Sequence, residues 1–268
     1  MSKGAMRELS CLARFVASAA LTVSLAVSLA GCKTVGMSGV TGALGERSEA
    51  PADPSRTADI TGERYRARPS DPAAAIAYGN ALRAIGQRAQ AVAVLEKASL
   101  ANPSNKAVRA AYGRALADNG NFQLAFDTLS RAHSPDNPDW RILSVQGTVL
   151  DQMGRNDEAR RYYASALRLA PGEPSVLSNL GMSYVLTKEL PRAEETLRQA
   201  YSSGRADERV RQNLALVIGL QGRYAEAESI VRADLPPDEA AANVAYLKQM
   251  VSGQDAARAG RGVMASGR

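Results

Sequence analysis

The side chains of this 268-residue chain able to take part in covalent or metal chemistry are few and unevenly placed. There are two cysteines, Cys11 and Cys32, and a single histidine, His133. Both thiols fall in the first 32 residues, so nothing downstream can close a disulfide, a CxxC redox site or a zinc cluster. No GxxxxGK[ST], GxSxG or HExxH pattern occurs. His133, in RAHSPDNP, reads as a helix-end histidine facing water. These observations argue against an enzyme, a bound metal, a cofactor or a small-molecule substrate. What remains is Cys32 and its surroundings. Met1 to Arg14 is net positive, and Phe15 to Ala30 follows as sixteen uncharged residues, FVASAALTVSLAVSLA. That run is short for a spanning helix, which needs about 20 apolar residues, but it suits the apolar centre of an export signal.

Leu29-Ala30-Gly31-Cys32 resembles the bacterial lipobox, in which the cysteine thiol receives diacylglycerol and the chain is cut just before it. The resemblance implies a cleaved signal over 1–31 and a mature chain lipidated at Cys32. Each buried methylene contributes about 0.8 kcal/mol, so two or more acyl chains anchor stably. A plain signal peptide with an incidental cysteine and an uncleaved anchor are the alternatives. Lys33, where an aspartate would retain the protein at the inner membrane, points by enterobacterial sorting rules to the outer membrane, facing the periplasm. Residues 32–70 are rich in Gly, Ser, Thr and Pro without a sustained apolar period, and are expected to be a flexible tether.

Composition narrows the fold. Hydrophobic residues make up 45% and aromatics only 5%, with alanine abundant, which favours helices packed through small side chains. The net charge is +6; without the first 31 residues it is 30 basic minus 26 acidic, or +4. A charge so small and dispersed, with no aromatic interleaving, argues against nucleic acid.

From Asp71 the chain repeats itself every 34 residues. Small residues recur at Gly79, Gly113, Gly147, Gly181 and Ala215, at Ala91, Ala125, Ala159, Ala193 and Ala227, and at Ala98, Ala132, Ala166 and Ala200, a series broken at Asp234. Large residues hold two further slots: Leu82, Leu116, Leu150, Tyr184 and Ile218, then Leu95, Leu129, Tyr163, Leu197 and Val231. Turn glycines stand at Gly86, Gly120, Gly154 and Gly222, with Lys188 the exception. Agreement across this many registers marks a repeat architecture.

The pattern resembles the tetratricopeptide repeat, a 34-residue helix–turn–helix unit. It implies an all-α fold, an α-solenoid of about five units at 72–105, 106–139, 140–173, 174–207 and 208–241. Stacked units need caps at their ends. After Leu235, Pro236 and Pro237 break the last helix, Asp238 can cap, and Ala242, Val244, Ala245, Leu247 and Met250 supply the apolar positions of a capping helix. The solenoid thus spans 71–251, and 252–268 is expected to be a disordered tail. In such stacks the first helices line the concave face. By register that face carries Asn80, Arg83, Arg114, Arg141, Asp151, Asn179, Met182, Arg209, Gln212 and Asn213. Asn179 and Asn213 share one slot, and an amide offers both a donor and an acceptor. The pair is a candidate ladder for the backbone of an extended peptide.

The order of lipobox, spacer and repeats resembles the TadD family of tight-adherence (Tad/Flp) pilus assembly lipoproteins. VRQNLALVIGLQG and DLPPDEAAANVAYLK, within residues 208–250, carry the resemblance best. It implies a protein-binding scaffold whose partners are the secretin or other components of the Tad machine. The alternatives are a pilotin-like lipoprotein or an adaptor for envelope proteases or peptidoglycan in another system.

Overall fold

In the computed structural model the backbone is described over residues 53–265 and the side chains over 53–253. Cys32, the signal segment and the first part of the expected tether lie outside the described residues. The described residues hold twelve helices and no strand. A leading helix α1 (Pro54–Ala67) precedes five antiparallel pairs: α2 (Pro72–Ala84) with α3 (Arg88–Ala101), α4 (Lys106–Asp118) with α5 (Phe122–Ser130), α6 (Trp140–Gln152) with α7 (Asn156–Leu169), α8 (Pro174–Leu186) with α9 (Leu190–Tyr201), and α10 (Glu208–Leu220) with α11 (Tyr224–Val231). The closing helix α12 spans Pro237–Ala265. This is an α-solenoid.

A polar slot starts each unit. Asp71, Asn105, Asp139, Glu173 and Asp207 follow one another at intervals of 34. Each side chain accepts a backbone N–H from the first turn of the helix it precedes: Ala73 at 2.9 Å, Ala107 at 3.0 Å, Arg141 at 2.8 Å, Ser175 at 3.4 Å and Val210 at 2.9 Å. An N-cap of this kind contributes about 1 kcal/mol. Within each unit the turn is closed by a residue with positive φ, from 76° at Gly86 to 86° at Gly120. Lys188 takes φ 66° in the same slot. Nothing lies within 4 Å of where a Cβ would sit at the four turn glycines, so lysine meets no neighbour there and the cost is backbone conformation alone.

The core is built on one contact repeated along the chain. A Cβ at Gly79, Gly113, Gly147 or Gly181 would stand 2.6 Å from Leu95, Leu129, Tyr163 or Leu197, each sixteen residues later on the partner helix. No side chain fits there, so the glycine lets the pair close around the large residue. In the fifth unit alanine replaces glycine at 215 and the smaller valine replaces leucine at 231, and both are buried in one cluster. Ala91, Ala125, Ala159, Ala193 and Ala227 are all wholly buried.

Three segments depart from expectation. Residues 54–67 form α1 instead of flexible tether. Asp53 caps it through the Ser55 N–H, Ala58 and Gly62 are buried, and Tyr65 stacks on Tyr78 with ring centroids 5.6 Å apart. Its apolar face is made of Ala, Gly and Tyr, too sparse to register as an amphipathic period. The α12 backbone continues to Ala265, through most of the expected disordered tail. Its inward face is Ala240, Val244 and Leu247, while Ala242 and Ala245 face solvent. Leu247 abuts Gly219, where a Cβ would collide with it. Finally, α5 is nine residues long against fourteen for α3 and α7. His133 lies in the connection that follows and is half-buried, not facing water: its Nε2 is 3.1 Å from Gln146 Oε1. Gln146 Nε2 donates to Ser130 Oγ at 2.9 Å, and Ser130 donates to the Phe126 carbonyl, so Nε2 is the His133 nitrogen that donates.

Gly113→Ala should lower stability by about 1–3 kcal/mol through overpacking, although helix propensity alone favours alanine by about 1 kcal/mol. Adding Leu129→Val, the combination natural to the fifth unit, should recover part of the loss. Denaturant midpoints of the single and double variants check this; additive losses would reject the size-matching account.

Candidate protein-binding face

The even-numbered helices α2 to α10 are the first helices of the five units, and each touches the next. Positions one repeat apart therefore come side by side, although 34 residues separate them in sequence. Asn179 Nδ2 donates to Ser144 Oγ at 3.0 Å, and Asn213 Nδ2 donates to Ser178 Oγ at 2.9 Å. The asparagine slot thus stitches α8 to α6 and α10 to α8. Arg209 Nη1 reaches Asn179 Oδ1 at 3.3 Å, extending the ladder by a rung. Asn213 is only 9% exposed, whereas Asn179 is half-buried and can still offer part of its amide.

Asp151 is also withdrawn from the surface. Its carboxylate accepts from Asn156 Nδ2 at 2.7 Å, Ser183 Oγ at 2.8 Å and the Tyr163 hydroxyl at 2.9 Å. These donors come from α7 and α8, so one carboxylate ties unit 3 together and joins it to unit 4. Burial raises its pKa above the ordinary carboxylate value, and the three hydrogen bonds only partly oppose this. Asp151 and Asn213, expected on the peptide-facing surface, are therefore buried polar groups satisfied within the chain.

The accessible part of the expected face consists of Arg141, Asn179, Met182, Arg209 and Gln212. Gln212 donates to Glu208 at 2.6 Å. The Arg141 guanidinium lies over the Trp140 ring, 4.4 Å from its centroid. Earlier in the solenoid, Arg83 pairs with Asp118 at 2.6 Å and donates to Asn80 at 3.3 Å, while Arg114 is half-buried. Sequence reasoning missed Ser144, Ser178 and Ser183, although two of them, 34 residues apart, precede the asparagine slot by one residue. Nothing in this arrangement pairs a nucleophile with a base; it is a ridged polar surface suited to contact with another chain.

Asp151→Ala leaves the buried Tyr163 and Ser183 hydroxyls and the half-buried Asn156 amide without this acceptor and should cost about 2–4 kcal/mol. Because the folded pKa is raised, Asp151 stabilises most below its unfolded pKa, and that contribution falls as pH rises through the folded value. The Tm gap between wild type and variant should therefore be widest near pH 4 and narrow toward neutrality, as followed by circular dichroism. A gap that widens with pH would contradict the assignment.

A family model for the tetratricopeptide repeat matches residues 76–138 and 145–209, and a second such model matches 209–233. No curated protein matches the sequence. Among solved structures, the chain is similar to one in the crystal structure of the APC/C hetero-tetramer Cut9-Hcn1, with TM-score 0.60 and 16% identity over 76% of this chain. The match takes in 40% of that much longer chain. It is also similar to human IFIT1, in a dimer with PPP-AAAA, with TM-score 0.54 and 17% identity over 66% of this chain and 44% of that one. For pilF of Pseudomonas aeruginosa the TM-score is 0.52, with 20% identity over 73% of this chain and 94% of that one. At such identities these likenesses speak to the fold. The two repeat models together span more than half of the chain, over the helix pairs just described, and the chain belongs to the tetratricopeptide-repeat family.

Proposed function

We propose that this protein is a lipid-anchored scaffold of Tad/Flp pilus assembly that helps the outer-membrane secretin assemble or localise. The observation that carries the reading is the C-terminal stretch 208–250, whose VRQNLALVIGLQG and DLPPDEAAANVAYLK exceed what a generic repeat requires and resemble the TadD family. The structure gives that stretch a physical role consistent with a scaffold. It forms α10, α11 and the start of α12, which cover the last unit through Ala240, Val244 and Leu247. A tetratricopeptide solenoid with a polar, accessible face is a protein-interaction module, and Cys32 is the proposed point of attachment. No helix among the described residues is long and apolar enough to cross a membrane.

Deleting the gene should reduce pili and the heat-resistant secretin multimers seen in outer-membrane fractions, and re-expression should restore both. Secretin multimers that form and localise normally without the protein would sink this reading and favour a client in another envelope system. Cys32→Ser should move the protein from the membrane pellet to the soluble fraction. Continued retention in the pellet would reject lipidation as the anchor.

A further inference from the structure

The second helix of unit 2 stops early, and the space it leaves stays open. In register with α3 and α7 it would run to residue 135, but α5 ends at Ser130. Pro135 and Pro138 in the connection that follows have no backbone N–H with which to continue a helix. A cleft of about 580 Å³ lies there, between that connection and the end of α5 on one side and α6 and α7 on the other. Its volume is within the range of ligand pockets, about 300–1,000 Å³. Pro135, Pro138, Leu143 and Tyr162 supply apolar walls, and the exposed Leu169 extends them toward solvent.

The polar side chains of the lining are engaged within the chain, with one exception. Gln146, only 1% exposed, accepts from His133 Nε2 at 3.1 Å and donates to Ser130 Oγ at 2.9 Å. Ser130 in turn donates to the Phe126 carbonyl at 2.9 Å. On the α7 wall, Ser165 donates to the Arg161 carbonyl at 2.9 Å and accepts from Arg168 at 2.8 Å. His133 Nδ1 is the exception: among the described residues it is the one buried side-chain polar atom without a hydrogen-bond partner. Because Nε2 carries the ring proton, Nδ1 presents a lone pair and acts as an acceptor. A buried acceptor left unpaired is unfavourable, so the free chain gains if a donor arrives.

We propose that this cleft receives a tyrosine side chain from an extended segment of a partner protein, with the ring between the apolar walls and the hydroxyl donating to His133 Nδ1. The inference rests on the solenoid being a protein-interaction module, but not on the pilus assignment. Tyrosine joins a large apolar body to one polar tip, which matches apolar walls with one unmet acceptor. An acyl tail or a phenylalanine would fill the walls and leave Nδ1 unpaired. A carboxylate would bring no donor to it. The connection around His133 is closed by the Asn137 N–H donating to the Ser134 carbonyl at 3.1 Å, not by a helical ladder, and can adjust around an entering group. The walls belong to units 2 and 3, whereas Asn179, Met182, Arg209 and Gln212 lie on units 4 and 5.

His133 is the only histidine of the chain, so isotope-labelled histidine reports Nδ1 as a single nitrogen resonance. The test uses the chain from Lys33 onward, which contains the whole compact unit beginning at Asp53. The probe is the capped peptide acetyl-Gly-Pro-Tyr-Ser-Gly-amide, beside the same peptide with phenylalanine for tyrosine. The tyrosine peptide should move the Nδ1 resonance saturably and bind about fivefold or more tightly than the phenylalanine peptide. His133→Phe should abolish that preference, a comparison of two ligands on one variant that a general loss of stability does not produce. Ser165→Phe, which fills the cleft from α7, should weaken both peptides by about tenfold or more. An unmoved Nδ1 resonance, equal affinity of wild type for the two peptides, a preference that survives His133→Phe, or undiminished binding by Ser165→Phe would each overturn the proposal. So would sedimentation in which wild type self-associates and Ser165→Phe does not, because the occupant would then be a second copy of this chain. If wild type shows no tyrosine preference yet still promotes secretin multimers, the cleft fails while the scaffold reading stands.

Discussion

The close approach of two helices at a residue with no side chain governs the rest of this structure. At Gly79, Gly113, Gly147 and Gly181 the partner helix sends a leucine or tyrosine into the space that a Cβ would occupy. That contact sets the separation of each pair, and the separation sets how the next pair can lie against it. A solenoid multiplies such a constraint because every unit packs on its neighbours. The fifth unit shows that the volume of the pair matters more than the identity of either member: alanine at 215 faces valine at 231. Tyr163, the one aromatic in the large slot, also carries a hydroxyl to Asp151, so the same slot that packs unit 3 supports its polar centre.

The polar groups between units act differently in the two halves. From unit 3 onward, serine, asparagine and aspartate side chains satisfy one another across helix boundaries, and arginines pair with glutamates at the surface. Exposed pairs of this sort contribute little individually, about 0–1 kcal/mol each, but buried groups such as Asp151 and Asn213 specify how the units dock because their partners leave no alternative register. In the first helices of units 1 to 3, Arg83 pairs with Asp118 and Arg141 rests on the Trp140 ring. The C-terminal half thus meets most of its polar contacts within the chain.

The ends of the solenoid follow from the same physics. Unit 1 would expose Tyr78 and Ala75 without a helix before it, and α1 supplies one through Tyr65, Ala58 and Gly62. Unit 5 would expose Ala215 and Val217, and α12 covers that side. The cap is fitted by Gly219, which takes the place of the arginine, alanine, aspartate and valine found in that slot of earlier units and lets Leu247 approach the α10 backbone.

The repeat was legible in the sequence because its cause is local and recurs: a glycine–leucine contact, a capping residue and a turn glycine return every 34 residues. Unit boundaries, the inward faces and the character of the fold could therefore be read directly from spacing. The candidate face was legible only in part. Register places Asp151, Asn179 and Asn213 on the first helices, but not whether their polar atoms are free. That depends on Ser144, Ser178 and Ser183, whose meaning appears only when helices one repeat apart in sequence lie side by side. Helix α1 escaped notice for a related reason: its alanine, glycine and tyrosine are too weakly apolar to announce a buried face until Tyr78 stands opposite. Sequence by itself determined the kind of molecule, because short-range packing and turn chemistry are written into each unit. Only the tertiary structure decided which polar side chains are spent within the chain, as Asp151 and Asn213 are, and which, like Asn179, stay partly accessible, because that balance is struck between residues that sequence separation keeps far apart.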